Sequence, residues 1–430
     1  MKPFPDTPPP GPFRPGFWRS PLRGPWLTSL LGTLLLGFVI VVGLTGFLSH
    51  TAYNPDLFGN AIVAKDRDLG LFVFDWPTSP SWLFALNQGL HVTVGIVTIP
   101  LLLAKLWSVI PRLFTWPPAR GVRHAIERLS LLLLVGGALF EFATGVLNVQ
   151  IYYPFGFNFV VAHYYGAWIF LAALSVHVGV KLTTIRGALA TRQALAPLRE
   201  GLAQTRPEVQ PPGAEPGLIA ASPADPTLSR RGLLALTGAA MGGLAVSVAG
   251  QSIGGPLRSV ALLAPRRDTL GDGPNGFPVN KTARSASINP AMVGASWRLT
   301  LAGPRPATLT RADLLALPQH TEHLPIACVE GWSTTQAWTG VRLADLARMA
   351  GARPGKPVLV ESLQEKGVLR RASLSGDQWA DERSLLALKV NGDDLSMDHG
   401  FPARVIVPAL PGVHNTKWVA KMTFGGGGST

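Results

Sequence analysis

Cys328 is the only thiol in 430 residues. One thiolate cannot form an intrachain disulfide, a zinc–cysteine cluster or an iron–sulfur site, because each needs more sulfur ligands. A lone cysteine by itself reads as a small, inert core residue. Reactivity needs a special electropositive setting, and it is the motifs around this cysteine that argue against the inert reading. Cys328 stands in Leu324-Pro325-Ile326-Ala327-Cys328-Val329-Glu330-Gly331-Trp332-Ser333. Trp338-Thr-Gly-Val-Arg-Leu follows, then His399-Gly-Phe-Pro-Ala-Arg404 and Gly412-Val-His-Asn-Thr-Lys-Trp418.

Those four motifs, in that order between about Pro274 and Phe424, resemble the molybdopterin domain of the sulfite oxidase superfamily. The likeness is greatest to the bacterial branch that includes periplasmic methionine sulfoxide reductases. The resemblance implies that Cys328 is the protein thiolate on molybdenum, and a soft thiolate suits a sulfur-bound, high-valent metal. It also implies that His399 and Arg404 touch the pterin cofactor. Arginine suits a phosphate because its planar fork can donate twice. Gly412, Val413 and His414 fall where the family has Gly-Tyr/Phe-Lys beside the cofactor phosphate, so a histidine here replaces the lysine. Lys417 and Trp418 match the end of that motif, and Ser362 lies about where the reductase branch has a cofactor-binding threonine. Asn275 and Asn280 read as turn formers.

A second set of chemistry-bearing residues lies in apolar surroundings: His91, His163 and His177. Intramembrane histidines are costly and usually functional, and histidine is an axial haem ligand. On one helix, His163 and His177 would be separated by about 21 Å of rise and sit ~40° short of whole turns, hence on one face. Two cofactor layers across a ~30 Å core would have that separation. One histidine on span two with His-x13-His on span four resembles the cytochrome b subunits of membrane formate dehydrogenases and hydrogenases. In that arrangement His91 and His163 hold one haem b. His177 would hold a second with His50 or His124 as partner, although that family's ligand near the inner end of span one has no counterpart here. Glu141 in span three reads as a hydrogen-bonded structural residue or a quinone-proton relay.

The elements that must position these groups follow from composition. Hydrophobic residues are 47% and charged residues 15%, against about 25% charged in ordinary soluble proteins, which points to a membrane. The net charge of +13 lies beside apolar runs, as in cytoplasmic anchoring. No basic-aromatic pattern of nucleic-acid binding accompanies it. After a Pro-rich stretch, residues 1–25, four spans are expected at Leu27–Leu48, Trp82–Ala104, Leu129–Val149 and Phe159–Thr183, each near the ~20 residues needed. The first loop carries Asp56, Lys65, Asp66, Arg67, Asp68 and Asp75; the second carries Lys105, Arg112, Arg120, Arg123 and Arg128 against Glu127. The third is uncharged, with Tyr152, Tyr153, Phe155 and Phe157. The positive-inside rule then places the N-terminus in the cytoplasm.

The expected organisation is an all-α transmembrane four-helix cytochrome b bundle over 26–186 and a flexible cytoplasmic linker over 187–228. A fifth helix over 229–254 opens with Ser229-Arg230-Arg231, like a twin-arginine signal or an anchor. An α+β molybdopterin domain over 255–424 and a tail over 425–430 complete the chain. Within that domain, strands are expected near Trp297–Leu301, Val358–Ser362 and Ala403–Pro408, and a helix over Arg311–Leu317 capped by Thr310.

The function these readings imply is a membrane-bound molybdenum oxidoreductase of the bacterial cytoplasmic membrane with an extracytoplasmic catalytic domain. It would couple a small oxo-substrate, such as a sulfoxide or sulfite, to haem b and the quinone pool. The alternative is a membrane-anchored scaffold or sensor with a degenerate molybdopterin fold, against which the retained Cys328 argues. A transporter is disfavoured because the spans show no internal repeat.

Overall fold

The computed structural model describes residues 5, 7–60, 63, 68–118, 121–191, 195–209, 217–266, 273–367 and 370–425. Lys65, Asp66, Arg67, Arg120 and the tail residues 426–430 lie outside the described residues.

The apolar runs form helices α1 (Pro25–Ala52), α2 (Leu83–Leu113), α3 (Val122–Val149), α4 (Phe159–Thr191) and α5 (Arg230–Ile253). All five are long and apolar enough to cross a membrane. Four of them extend well past the expected apolar limits, because the flanking polar residues continue the backbone ladder beyond the hydrophobic stretch. The chain divides into two compact units. One comprises Met1–Val42, Val94–Asn148 and Tyr152–Ala245; the other comprises Gly43–Thr93, Val149–Ile151 and Val246–Thr430.

In the first unit, Trp26, Leu27, Leu31 and Leu101 form a buried cluster. The start of α1 leaves backbone N–H groups without intrahelical partners, and the Glu208 carboxylate accepts from Trp26 N at 2.9 Å. Arg230 is 1% exposed; it donates to Arg206 O at 2.9 Å and Pro21 O at 3.3 Å and pairs with Glu200 at 3.4 Å. These contacts correct the expectation of a flexible linker for its described residues: around 200–208 the chain is fastened by Glu208 and Arg230. Short 3-10 turns at Ala196–Leu198 and Leu202–Gln204 order it further.

The second unit contains the α+β domain. One sheet has the order β2 (Ala307–Leu309), β1 (Leu299–Ala302), β10 (Val419–Phe424), β5 (Val358–Ser362) and β6 (Arg371–Leu374), with β1 and β10 parallel. The other runs β3 (His320–Ala327), β4 (Ser333–Arg342), β7 (Leu385–Val390) and β8 (Asp393–Asp394), with β9 (Arg404–Ile406) also on β7. Short helices α6 (Arg311–Ala316), α7 (Leu343–Met349) and α8 (Gly376–Ala380) complete it. Thr310 caps α6 in a reciprocal box with Asp313, which gives acceptors to two backbone N–H groups at the helix start.

Buried alternation builds the cores: Leu299, Leu301, Val358, Val360, Val419 and Met422 from the first sheet pack together. Each such side chain contributes about 1.5–3 kcal/mol on full burial. Ala52, Trp76 and Phe84, from the end of α1, the following loop and the start of α2, join that same core. Trp76 Nε1 donates to Ala409 O at 2.7 Å, and the Asn60 side chain exchanges two 2.8 Å bonds with the Ser373 backbone. Residues 43–93 are thus integral to the unit that holds Cys328.

Candidate redox site

Cys328 directly follows β3 and opens the connection to β4. The connection closes on itself through Cys328 N to Trp332 O at 2.9 Å and Gly331 N to Cys328 O at 3.0 Å. Gly331 has φ of +90°, a conformation a side chain would strain, and an added Cβ would meet Val92 at 2.8 Å. The flanking residue Glu330 points back into the protein. It accepts two bonds from Arg266 at 2.9 and 2.8 Å and one from Trp332 Nε1 at 2.9 Å. Cys328 is 5% exposed. Burial, with the Glu330 charge adding to it, pushes the thiol up to about 12.

The segment after β9 runs beside this turn. Pro411 bridges Ala327, Gly412 N donates to Ala327 O at 2.7 Å, and a Cβ on Gly412 would stand 2.8 Å from that oxygen. A glycine is therefore what allows the approach. Arg404 and Lys417 are buried, and among the described residues neither has a carboxylate within ion-pair distance. Arg404 donates to His399 O at 3.3 Å and lies over the Trp338 ring; Lys417 Nζ donates to Lys281 O at 2.9 Å and Asp398 O at 2.7 Å. Burial lowers Arg404 to about 9, while the sulfur of Cys328 acts in the opposite sense. Burial, then repulsion from Arg404, holds Lys417 well below the ordinary lysine value. Such uncompensated cations are rare inside proteins.

His399 stacks on Phe277 with ring centres 3.7 Å apart and meets Asn275 O at 3.0 Å through Nε2. Burial, then Arg404 and Lys417, lower it to about 3. His414 is fully enclosed and lowered by burial to about 4; its ring meets Tyr53 edge-on at 5.6 Å. Ser362 accepts from Gln364 N at 3.0 Å and donates to Lys417 O at 2.8 Å, so it fixes the backbone of Lys417. Val413 lines a small cleft with Lys281, Gln364, Asn415, Thr416 and Lys417. Three buried polar atoms of its lining, Gln364 Oε1, Asn415 Nδ2 and Thr416 Oγ1, have no partner among the described residues, and neither do two more in the same domain, Arg404 Nε and His414 Nε2. Buried polar groups are normally satisfied, so this concentration marks a place where a polar ligand belongs. Asn275 binds Asp394 O and Ser396 N and Asn280 caps Lys281 N, consistent with turn roles.

Sequence reasoning assigned no role to Glu330, Arg266, Gln364, Asn415, Thr416, Tyr53 or Gln88. Asn415 and Thr416 lie inside a quoted motif and were within reach. Arg266, Tyr53 and Gln88 arrive from far along the chain, and no local signal marks them.

Three histidines of the apolar helices, His50, His91 and His163, meet polar partners. His91 Nδ1 is 3.4 Å from Thr45 Oγ1, and a Cβ on Gly46 would meet its ring at 2.9 Å. His163 Nδ1 is 2.9 Å from Thr144 Oγ1 and 3.1 Å from Glu141, which gives Glu141 a hydrogen-bonded role. His50 Nε2 meets Asp68 at 2.7 Å. His124 lies on the first turn of α3, and His177 lies on α4 without a hydrogen-bond partner among the described residues.

Residues 286–427 match the oxidoreductase molybdopterin-binding domain. The uncharacterized oxidoreductase YuiH of Bacillus subtilis (strain 168) is 33% identical over 131 residues, 30% of this chain and 65% of that protein. Mitochondrial sulfite oxidase of Drosophila melanogaster is 33% identical over 145 residues, 28% of this chain and 25% of that protein. The crystal structure of the sulfane dehydrogenase SoxCD from Paracoccus pantotrophus aligns at 25% identity with a TM-score of 0.29, covering 32% of this chain and 40% of that one. The chain thus spans 65% of the first of these curated relatives and a quarter of the second. The family match covers the same sheets that carry Cys328 and the buried cations, so residues 286–427 are similar to the oxidoreductase molybdopterin-binding domain, with sulfite oxidases among the relatives.

Proposed function

We propose that the chain is a membrane-bound molybdenum oxidoreductase that couples oxo transfer at its C-terminal domain to b haem and the quinone pool. The observation that carries this reading is the pair of buried cations, Arg404 and Lys417, which have no carboxylate in ion-pair distance among the described residues and share a domain with the single cysteine. An anionic, phosphate-bearing molybdopterin fits them: it would relieve their mutual repulsion and give the five orphaned polar atoms partners. In this reading Cys328 ligates molybdenum and loses its proton on doing so, since ligating thiols bind as thiolates. Arg404, Lys417, His399, His414 and the backbone of Gly412 and Val413 bind the pterin and its phosphate. Ser362 acts at one remove by fixing Lys417. When bound, the cofactor supplies the two-electron oxo-transfer chemistry. The chain excludes water through burial of Cys328, Trp332 and Trp338 and anchors Glu330 on Arg266, away from the thiolate.

His91 and His163 are each proposed as haem ligands, and the surroundings of each ring fit that role. Each has Nδ1 on a hydroxyl or carboxylate, the arrangement that leaves Nε2 to a metal and orients the ring. His177 would serve a second haem, with His50 or His124; ligation by His50 through Nε2 would have to displace Asp68. The five apolar helices support a bacterial cytoplasmic membrane location, and the loop charges support an extracytoplasmic domain. Lipid, quinone or quinol, and a small oxo-substrate are the partners.

The test follows haem absorbance in the purified full chain. Reduced protein is mixed with sulfoxides or nitrogen oxides, and oxidised protein with sulfite. At least one should change the haem spectrum, and Cys328→Ser should remove that response while keeping the haem bands. A response that survives Cys328→Ser would refute the assignment.

A further inference from the structure

We infer that Gln88 is the joint between the Cys328 turn and the helix that carries His91. This rests on the functional reading above, and goes beyond it by naming how the two redox sites are held in contact. The end of α1 and the start of α2 are apolar, yet carry a buried polar network. Asn87 donates to Thr45 O at 2.9 Å and Ser49 Oγ at 3.0 Å, and Ser49 donates to the Gln88 side-chain oxygen. Gln88 Nε2 then donates to Val329 O at 2.7 Å. Val329 is the residue next to Cys328. Gln88 is 4% exposed, and among the described residues these are the partners of its amide, so breaking one bond leaves a buried group unpaired.

Gln88 does not act alone at this contact. Val92, four residues on and therefore on the same helix face, fills the space that a side chain on Gly331 would need. His91 lies between the two, three residues from Gln88 and next to Val92. The helix carrying His91 thus touches the Cys328 turn on both sides of that histidine. From α5, Ser252 Oγ donates to Gly331 O, and Ser333 Oγ donates to Ser252 O at 2.8 Å, which closes the turn from the other side. Packed, hydrogen-bonded atoms are a far better medium for electron exchange than a gap of solvent or lipid. In the reducing direction, one quinol yields two electrons and two protons. One sulfoxide takes up two electrons and two protons and becomes a sulfide and water. The two electrons cross this contact one at a time, and oxidation of substrate reverses the balance.

Gln88→Met keeps side-chain length and removes the donor to Val329. Two readouts decide. In cofactor-free full-length protein, alkylation of Cys328 by N-ethylmaleimide should speed up several-fold as the turn loosens. In loaded protein, the ratio of quinol-driven to dye-driven substrate turnover should fall several-fold, because soluble dye bypasses α2. A change in structure alone would lower both activities together and leave the ratio fixed. Gln88→Glu, which keeps the acceptor to Ser49 and loses the donor, should reproduce both effects, and serves if Gln88→Met does not fold. An unchanged alkylation rate, or a fixed ratio, overturns the inference. Absence of molybdenum or haem in the unmodified protein overturns the functional reading instead, and is measured first.

Discussion

At the scale of single residues, Arg404 separates a binding role from a structural one. It makes one long hydrogen bond to a carbonyl and leaves Nε without a partner. Removing a buried charge that lacks a counter-charge costs little, whereas removing half of a pair costs much. Arg404→Met should therefore change the unfolding free energy of cofactor-free protein by no more than about 1 kcal/mol. Cofactor affinity should fall about 10- to 100-fold, the loss of a charge-assisted bond of about 1.5–3 kcal/mol. Urea unfolding and cofactor titration measure the two. A large loss of stability in the empty protein would mean that Arg404 is a core element rather than a phosphate donor. The same logic explains why the site was partly legible beforehand. Cys328, His399, Arg404 and Lys417 sit in compact motifs, so their types and order were readable. The ion pair of Glu330 with Arg266 and the ring contact of Tyr53 with His414 join residues more than sixty positions apart, and nothing local encodes such a meeting.

At the scale of elements, the turn after β3 depends on Gly331. Its positive φ and the Val92 contact both exclude a side chain. Gly331→Ala should destabilise the protein by more than about 1 kcal/mol, since alanine is strained where φ is positive; a thermal melt equal to that of the unmodified protein would contradict this. Helix α6 makes a pH-dependent prediction. The backbone N–H of Thr310, then its hydroxyl, bond to the Asp313 carboxylate and hold it below the usual carboxylate range. A depressed folded value stabilises above the unfolded pKa and is lost as pH falls through the folded one. The stability gap between the unmodified protein and Asp313→Asn should be full at neutral pH and close in acid. A gap that grew on acidification would reverse the sign and contradict the assignment.

Elements governed by local chemistry matched their expectation most closely. The Thr310 cap and Pro318 bracket α6, and Val358–Ser362 forms β5 over the expected residues. The Ala403–Pro408 strand shrinks to Arg404–Ile406, because the flanking residues serve the turn and the site instead of a ladder. The linker was misread because its order comes from Glu208 and Arg230, whose partners lie at Trp26, Pro21 and Arg206.

At the scale of the molecule, the fifth helix raises the question of whether it is an export signal that is removed or a permanent part. The small-residue stretch around Ser247-Val-Ala249 is helical, and Val248 is fully buried, so the backbone a peptidase needs is withdrawn. Arg230 at one end of α5 and Ser252 at the other are both bonded to neighbouring chain. The purified protein should therefore retain residues 230–253, as intact mass spectrometry would report. A C-terminal fragment beginning near residue 250 would contradict this. Composition made the division into apolar helices and an α+β domain legible. The inclusion of residues 43–93 in the same compact unit as that domain was not legible, because it depends on contacts such as Asn60 with Ser373 and Trp76 with Ala409.

If Cys328 and the buried cations of its domain hold a molybdenum cofactor, the metal content must depend on the thiol. Molybdenum is measured against protein in the purified full-length chain, beside Cys328→Ser prepared identically. Near-equimolar metal is expected in the unmodified protein and a large loss in the variant. Equal molybdenum in both, or none in either, would contradict it.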